Sequence, residues 1–106
     1  LHQEMIAQNQ VANTRKAKVL VTNPTHFAVA LDYEKERTPL PVILARGQGA
    51  LAQRMIRAAE EEGIPIMRNV PLARGLYEQG TENSYIPQEL IGPVAEVLRW
   101  VQSLQR

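Results

Sequence analysis

Lys18-Val19-Leu20-Val21-Thr22-Asn23-Pro24-Thr25-His26-Phe27-Ala28-Val29-Ala30-Leu31-Asp32-Tyr33 is the stretch that decides how this chain folds. Lys18 to Thr22 is an apolar, β-branched run, the pattern of a buried strand. Asn23-Pro24-Thr25-His26 interrupts it with turn chemistry, and Phe27 to Tyr33 resumes as a second strand. Apolar strands press on the corner from both sides, so the two share a sheet around it. The bend is held by core.

Downstream, Asp32 to Arg37 reads as a charged turn, and Thr38-Pro39-Leu40-Pro41 forces an extended entry into a third strand, Val42 to Ala45. Gly47 to Gly63 reads as a helix. Leu51, Ala52, Met55, Ile56 and Ala59 form its apolar face; Gln53, Arg54, Arg57, Glu60 and Glu61 take the other, and Gly63 is a natural stop. Glu60-Glu61-Glu62 opposes the helix dipole there, a misfit that local cations only partly offset. Ile64 to Met67 is a short strand, placed by Pro65 at an edge or a strand start. Pro71 suits the first turn of a helix running to Gln79, with Leu72, Ala73, Leu76 and Tyr77 as its buried side. A polar loop, Thr81 to Ser84, leads to a turn at Pro87. Pro93 starts or kinks the last helix, whose stripe is Val94, Val97, Leu98, Val101 and Leu104. Strands first, then strand alternating with helix, predict an α/β class: a small mixed β-sheet of about four strands packed against several α-helices.

The opening differs. Residues 1–17 are rich in Gln and Asn with only a narrow apolar stripe (Met5, Ile6, Val11), and read as a solvated linker helix or connector, a frayed terminus being the bland equivalent. Residues 18–106 form the folded domain.

With 106 residues, 44% of them hydrophobic and 22% charged, the chain is one ordinary domain with enough length for a core. It contains no cysteine, which excludes disulfides, thiol nucleophiles and thiolate metal sites. The net charge of +1 carries no nucleic-acid footprint. No run approaches the roughly 20 apolar residues of a membrane span. His2 and His26 lie far apart, so no metal is expected, nor any cofactor. Gly47-Gln48-Gly49 lacks the spacing and lysine of a phosphate cradle and reads as a helix start. Arg74 and Tyr77 are candidates for partner contact, against a plain helix-face charge and a core aromatic.

Asn23-Pro24 is first of all a turn, but it also holds latent chemistry. An asparagine ordinarily deamidates when the next backbone nitrogen attacks its side-chain carbonyl. Proline has no N–H, so that route is closed at Asn23. What remains is attack by the Asn23 side-chain nitrogen on the Asn23 main-chain carbonyl, with the Pro24 nitrogen expelled. A held geometry recovers several kcal/mol of that barrier. Nearby backbone N–H groups would stabilise the oxyanion. His26 would move protons at neutral pH, and Thr25 is expected to fix the turn through side-chain-to-backbone bonding.

Asn23-Pro24-Thr25-His26 between its two strands resembles the cytoplasmic domain of the FlhB/YscU (SctU) family, switch proteins of the bacterial type III export apparatus. Thr38-Pro39-Leu40-Pro41, Gly63-Ile64-Pro65-Ile66, Pro71-Leu72-Ala73-Arg74 with Leu76-Tyr77, Tyr85-Ile86-Pro87 and Ala95 to Trp100 match in order, from Lys18 to the end. The resemblance implies self-cleavage between Asn23 and Pro24, with Thr25 and His26 completing the motif and both fragments staying associated. It implies a parent protein in the bacterial inner membrane, this domain on the cytoplasmic side and residues 1–17 as the connector. It also implies control of export specificity, with the export gate, a ruler protein and secreted substrates as partners. Thr38 to Pro41 resembles the virulence injectisome members more, Ala45-Arg46-Gly47 the flagellar ones; the injectisome is favoured. Single-turnover scission of this kind is not turnover enzymology. The rival expectations are a binding module of the same fold that never cuts, and a small-molecule α/β enzyme with a deep anion pocket at Gly47 to Gly49.

Overall fold

A computed structural model describes residues 2–105. In chain order its elements are α1 (His2–Thr14), β1 (Val19–Asn23), β2 (Phe27–Asp32), β3 (Val42–Gln48), α2 (Gly49–Glu62), β4 (Ile66–Arg68), α3 (Val70–Gln79), β5 (Ser84–Tyr85), a 3-10 turn (Gln88–Leu90) and α4 (Ile91–Ser103). The sheet order is β4-β1-β2-β3-β5. Only β1 with β4 runs parallel; the other pairs are antiparallel.

The alternation of strand side chains builds two cores. Val19, Val21, Val29, Leu31 and Ile43 face Leu72, Ala73 and Leu76 of α3 and Val94, Val97 and Val101 of α4. Leu20, Ala28, Ala30 and Ala45 face Ala52, Met55 and Ala59 of α2. The result is a helix–sheet–helix sandwich with β1 inside it. Val19, Leu20 and Val21 are completely buried, each contributing about 1.5–3 kcal/mol of hydrophobic stabilisation. Alanines on the second face let α2 come close. Gly47 continues that surface: a Cβ there would stand 2.6 Å from the Met55 sulfur.

The α/β class and the order of the main elements are as expected, with three differences in detail. The sheet has five strands where about four were expected. The extra one, β5, is two exposed residues long; Asn83, in the left-handed region at φ 63°, delivers it to the edge of β3. β3 runs on through Arg46-Gly47-Gln48, because buried Gly47 pairs with Ala28. α4 begins at Ile91 rather than Pro93, which puts the proline in the first turn, where no N–H is needed.

The segment expected to be a connector forms a helix, α1, which lies against α2 and β3. Val11 packs against the second core, beside polar ties from Gln10. Thr14 is fully buried and Gln10 nearly so, whereas Met5 and Ile6 are exposed. Arg15 bonds Glu61 at 2.8 Å and Glu62 at 3.1 Å, so a cation just past the end of α1 answers the glutamates that oppose the α2 dipole. These two carboxylates raise the Arg15 pKa above its usual value. Glu4 pairs with Arg54 at 3.1 Å. No helix among the described residues is long and apolar enough to cross a membrane.

Candidate functional site

The register of β1 and β2 pairs Asn23 with Phe27 and leaves Pro24-Thr25-His26 as the loop. The His26 N–H donates to the Asn23 carbonyl oxygen at 2.8 Å. That bond closes a β-turn with Asn23 at its first position and Pro24 at its second, the places each residue favours. The Asn23–Pro24 peptide is therefore the entry bond of the turn, and its carbonyl is polarised by a backbone donor.

Two elements brace this corner from outside the hairpin. The first turn of α2 supplies the Gly49 N–H, which donates to the His26 carbonyl at 3.0 Å. Gln53, one turn further along, donates its side-chain amide to the Pro24 carbonyl. On the other flank, the Asn69 N–H donates to the Thr22 carbonyl at 3.0 Å, while the Asn69 side chain caps α3 by accepting from the Leu72 N–H. Asn23 and Pro24 are half-buried; Thr25 and His26 are exposed. Among the described residues the Asn23 carboxamide has no hydrogen-bond partner, so its nitrogen is not committed elsewhere.

All four residues of the tetrapeptide lie together at one corner. Thr25 differs from expectation: its hydroxyl is bonded not to backbone but to the His26 imidazole, Oγ1 to Nδ1 at 2.9 Å. His26 meets the Asn23 carbonyl through its main chain.

Arg74 and Tyr77 are placed differently from each other. Arg74 is on the exposed side of α3, paired with Glu78 at 3.3 Å. The half-buried Tyr77 ring stacks on Phe27 with centroids 4.6 Å apart, and the Arg46 guanidinium stands 5.1 Å from its centroid. Tyr77 is thus a packing partner of the residue that closes the hairpin.

Arg46 extends this contact to α1. Its guanidinium donates to the Tyr77 carbonyl at 2.6 Å and to Glu82 at 2.8 Å. Its backbone N–H donates to the Gln10 side-chain oxygen at 3.0 Å, and the Gln10 amide nitrogen donates to Glu82 at 3.2 Å. Burial pushes the Glu82 carboxyl up, but the Arg46 hydrogen bond, its own backbone N–H, the Arg46 charge and Gln10 together hold it below its usual range. The sequence reading missed Gln53, Arg46, Glu82 and Gln10. Gln10 and Glu82 stand 72 positions apart, and no local signal joins them. Gln53 falls on the polar side of a helical period count; only its place in the opening turns of α2 turns it toward the corner.

The start of α2 is not a phosphate cradle. Leu51 and Met55 pack on Gly47, and the Gly49 N–H is taken by His26. A cleft of about 700 Å³ lies elsewhere, between the β2–β3 connection (Tyr33, Pro39, Leu40) and α4 (Ile91, Leu98).

A family model described as the FlhB HrpN YscU SpaS family matches residues 1–101. The Yop proteins translocation protein U of Yersinia pestis is 43% identical over 101 residues, covering 95% of this chain and 28% of that protein. The flagellar biosynthetic protein FlhB of Yersinia enterocolitica is also 43% identical, over 102 residues, covering 96% of this chain and 27% of that protein. Identity therefore does not separate the two branches, and the chain spans little more than a quarter of either relative. The crystal structure of the cytoplasmic domain of FlhB from Shewanella putrefaciens superposes with a TM-score of 0.87 at 33% identity, covering 93% of this chain and 76% of that one. Family model, relatives and fold agree: the chain belongs to the FlhB/HrpN/YscU/SpaS family, and it corresponds to the cytoplasmic domain.

Proposed function

We propose that this domain cuts its own chain between Asn23 and Pro24 and, as part of an export-apparatus membrane protein, thereby permits a change of export specificity. The observation that carries the reading is the 2.8 Å hydrogen bond from the His26 N–H to the Asn23 carbonyl oxygen. It sets a rigid donor where negative charge develops when that carbonyl is attacked.

The Asn23 side-chain nitrogen adds to the Asn23 carbonyl carbon, closing a five-membered ring, and loses a proton. The carbon–nitrogen bond to Pro24 then breaks, and the proline nitrogen takes up a proton as it leaves. The products are a C-terminal succinimide on Asn23 and a secondary amine at Pro24. No water enters, so the two fragment masses sum to that of the whole chain until the succinimide hydrolyses. The His26 imidazole, bonded to the Thr25 hydroxyl, serves the proton transfers.

Residues 1–23 would remain in place after scission, because β1 is an inner strand hydrogen-bonded to β2 and β4. The changed surface is then confined to the corner, where export-gate components, a ruler protein or secreted substrates would meet it. The Thr38 to Pro41 block favours the injectisome branch. A secretion assay tests the reading. A bacterium whose full-length protein carries Asn23→Ala should keep secreting early cargo and lose late cargo. Unchanged late secretion would contradict it.

A further inference from the structure

Resting on that scission reading, we propose that Gln53 is a positioning residue for the cut, acting through the Pro24 carbonyl. Pro24 carries the leaving nitrogen. Its ring already fixes φ, so ψ is the backbone freedom left to it, and the Pro24 carbonyl is the atom that reports ψ. Gln53 donates its side-chain amide to that carbonyl. The Gly49 N–H holds the His26 carbonyl in the same way, four residues earlier on α2. The loop is thus pinned at both ends to one helix, and the His26 N–H stays aimed at the Asn23 carbonyl while the Asn23 side chain swings in.

Packing does not require an amide at this position. Ala52 beside Gln53 is buried in the core and Ile56 packs against it, so an apolar side chain of similar length would cover the same surface. The amide is instead spent on the peptide that follows the scissile bond. Gln53 touches no reacting atom; it limits how far the leaving group's residue can rotate, an orientation effect on rate.

The test follows scission over time in chains made by cell-free synthesis and quenched in denaturant, read by intact mass. Wild type is compared with Gln53→Met, which keeps length and loses the donor, and Gln53→Glu, whose carboxylate cannot donate until protonated. One neutral hydrogen bond corresponds to roughly a five-fold rate change. Gln53→Met should therefore cut about that much more slowly at every pH, relative to wild type, while staying folded with a thermal midpoint lowered by no more than about 4–8 °C. Gln53→Glu should be slow at neutral pH and approach wild type as the pH falls through about 4 to 5, where a glutamate regains a proton. Equal rates in all three chains overturn the role while leaving scission standing. So does a rate loss in Gln53→Glu that ignores pH. A wild-type chain that stays whole overturns the scission reading, and this role with it.

Discussion

The main-chain N–H of His26 points at the carbonyl oxygen of Asn23 from 2.8 Å. The bond that closes the turn would also serve the proposed cut, because negative charge would develop on the same carbonyl oxygen that already accepts it. Since the donor is backbone, it survives any substitution of the imidazole, and the two contributions of His26 can be separated.

His26→Ala should therefore slow scission without abolishing it. Losing a general acid–base group costs on the order of 10²-fold in rate, while the main-chain donor remains. Timed samples quenched in denaturant and weighed give the ratio; an unchanged rate would leave the ring no chemical role.

Pro24→Ala reopens the route that proline closes. Residue 24 then carries an N–H, whose nitrogen can attack the Asn23 side-chain carbonyl and deamidate the residue. The variant should accumulate a deamidated, uncut chain, visible by mass and by isoaspartate detection. Rapid scission without deamidation would argue against the competition that singles out the Asn-Pro pair.

The fragment 1–23 should stay bound under native conditions, running with 24–106 as one species on size exclusion and separating in denaturant. Its hold depends on β1. Leu20, completely buried against the α2 face, should cost about 2.7–5 kcal/mol of stability when replaced by alanine, and that variant should release the short fragment at lower urea.

Much of this was legible in the sequence because it is written in local patterns. The β1–β2 hairpin, the α2 periodicity with its Gly63 stop and the proline-opened α3 all rest on residues within a few positions of each other. β5 was not legible, since Ser84 and Tyr85 have no apolar alternation and pair only because Asn83 turns them onto β3. The docking of α1 was hidden for a different reason. A helix held by Gln10, Arg15 and the packed Val11 rather than by a full apolar face shows no hydrophobic period, and Gln10 meets Arg46 and Glu82 only in the folded chain. The tetrapeptide could be read as a reactive turn; its bracing by Gly49 and Gln53 could not.

The Arg46–Glu82–Gln10 cluster that ties α1 to the sheet gives a pH dependence with a definite sign. The folded state holds the Glu82 carboxyl below its ordinary pKa of 4.5. A depressed folded pKa adds stability that is present in full above the unfolded value and fades as the pH falls through the folded one. Wild type should melt above Glu82→Gln at neutral pH, and the gap should narrow progressively as the pH falls below 4.5. Melting points that differ equally at both ends would remove the carboxylate from the account.

The most direct measurement is the intact mass, under denaturing conditions, of the freshly folded wild-type chain beside Asn23→Ala. The account predicts two wild-type species, 1–23 and 24–106, whose masses sum to the whole chain with no water added, and a single uncut species for Asn23→Ala. A wild-type chain that stays whole, or an Asn23→Ala chain cut at the same bond, would contradict it.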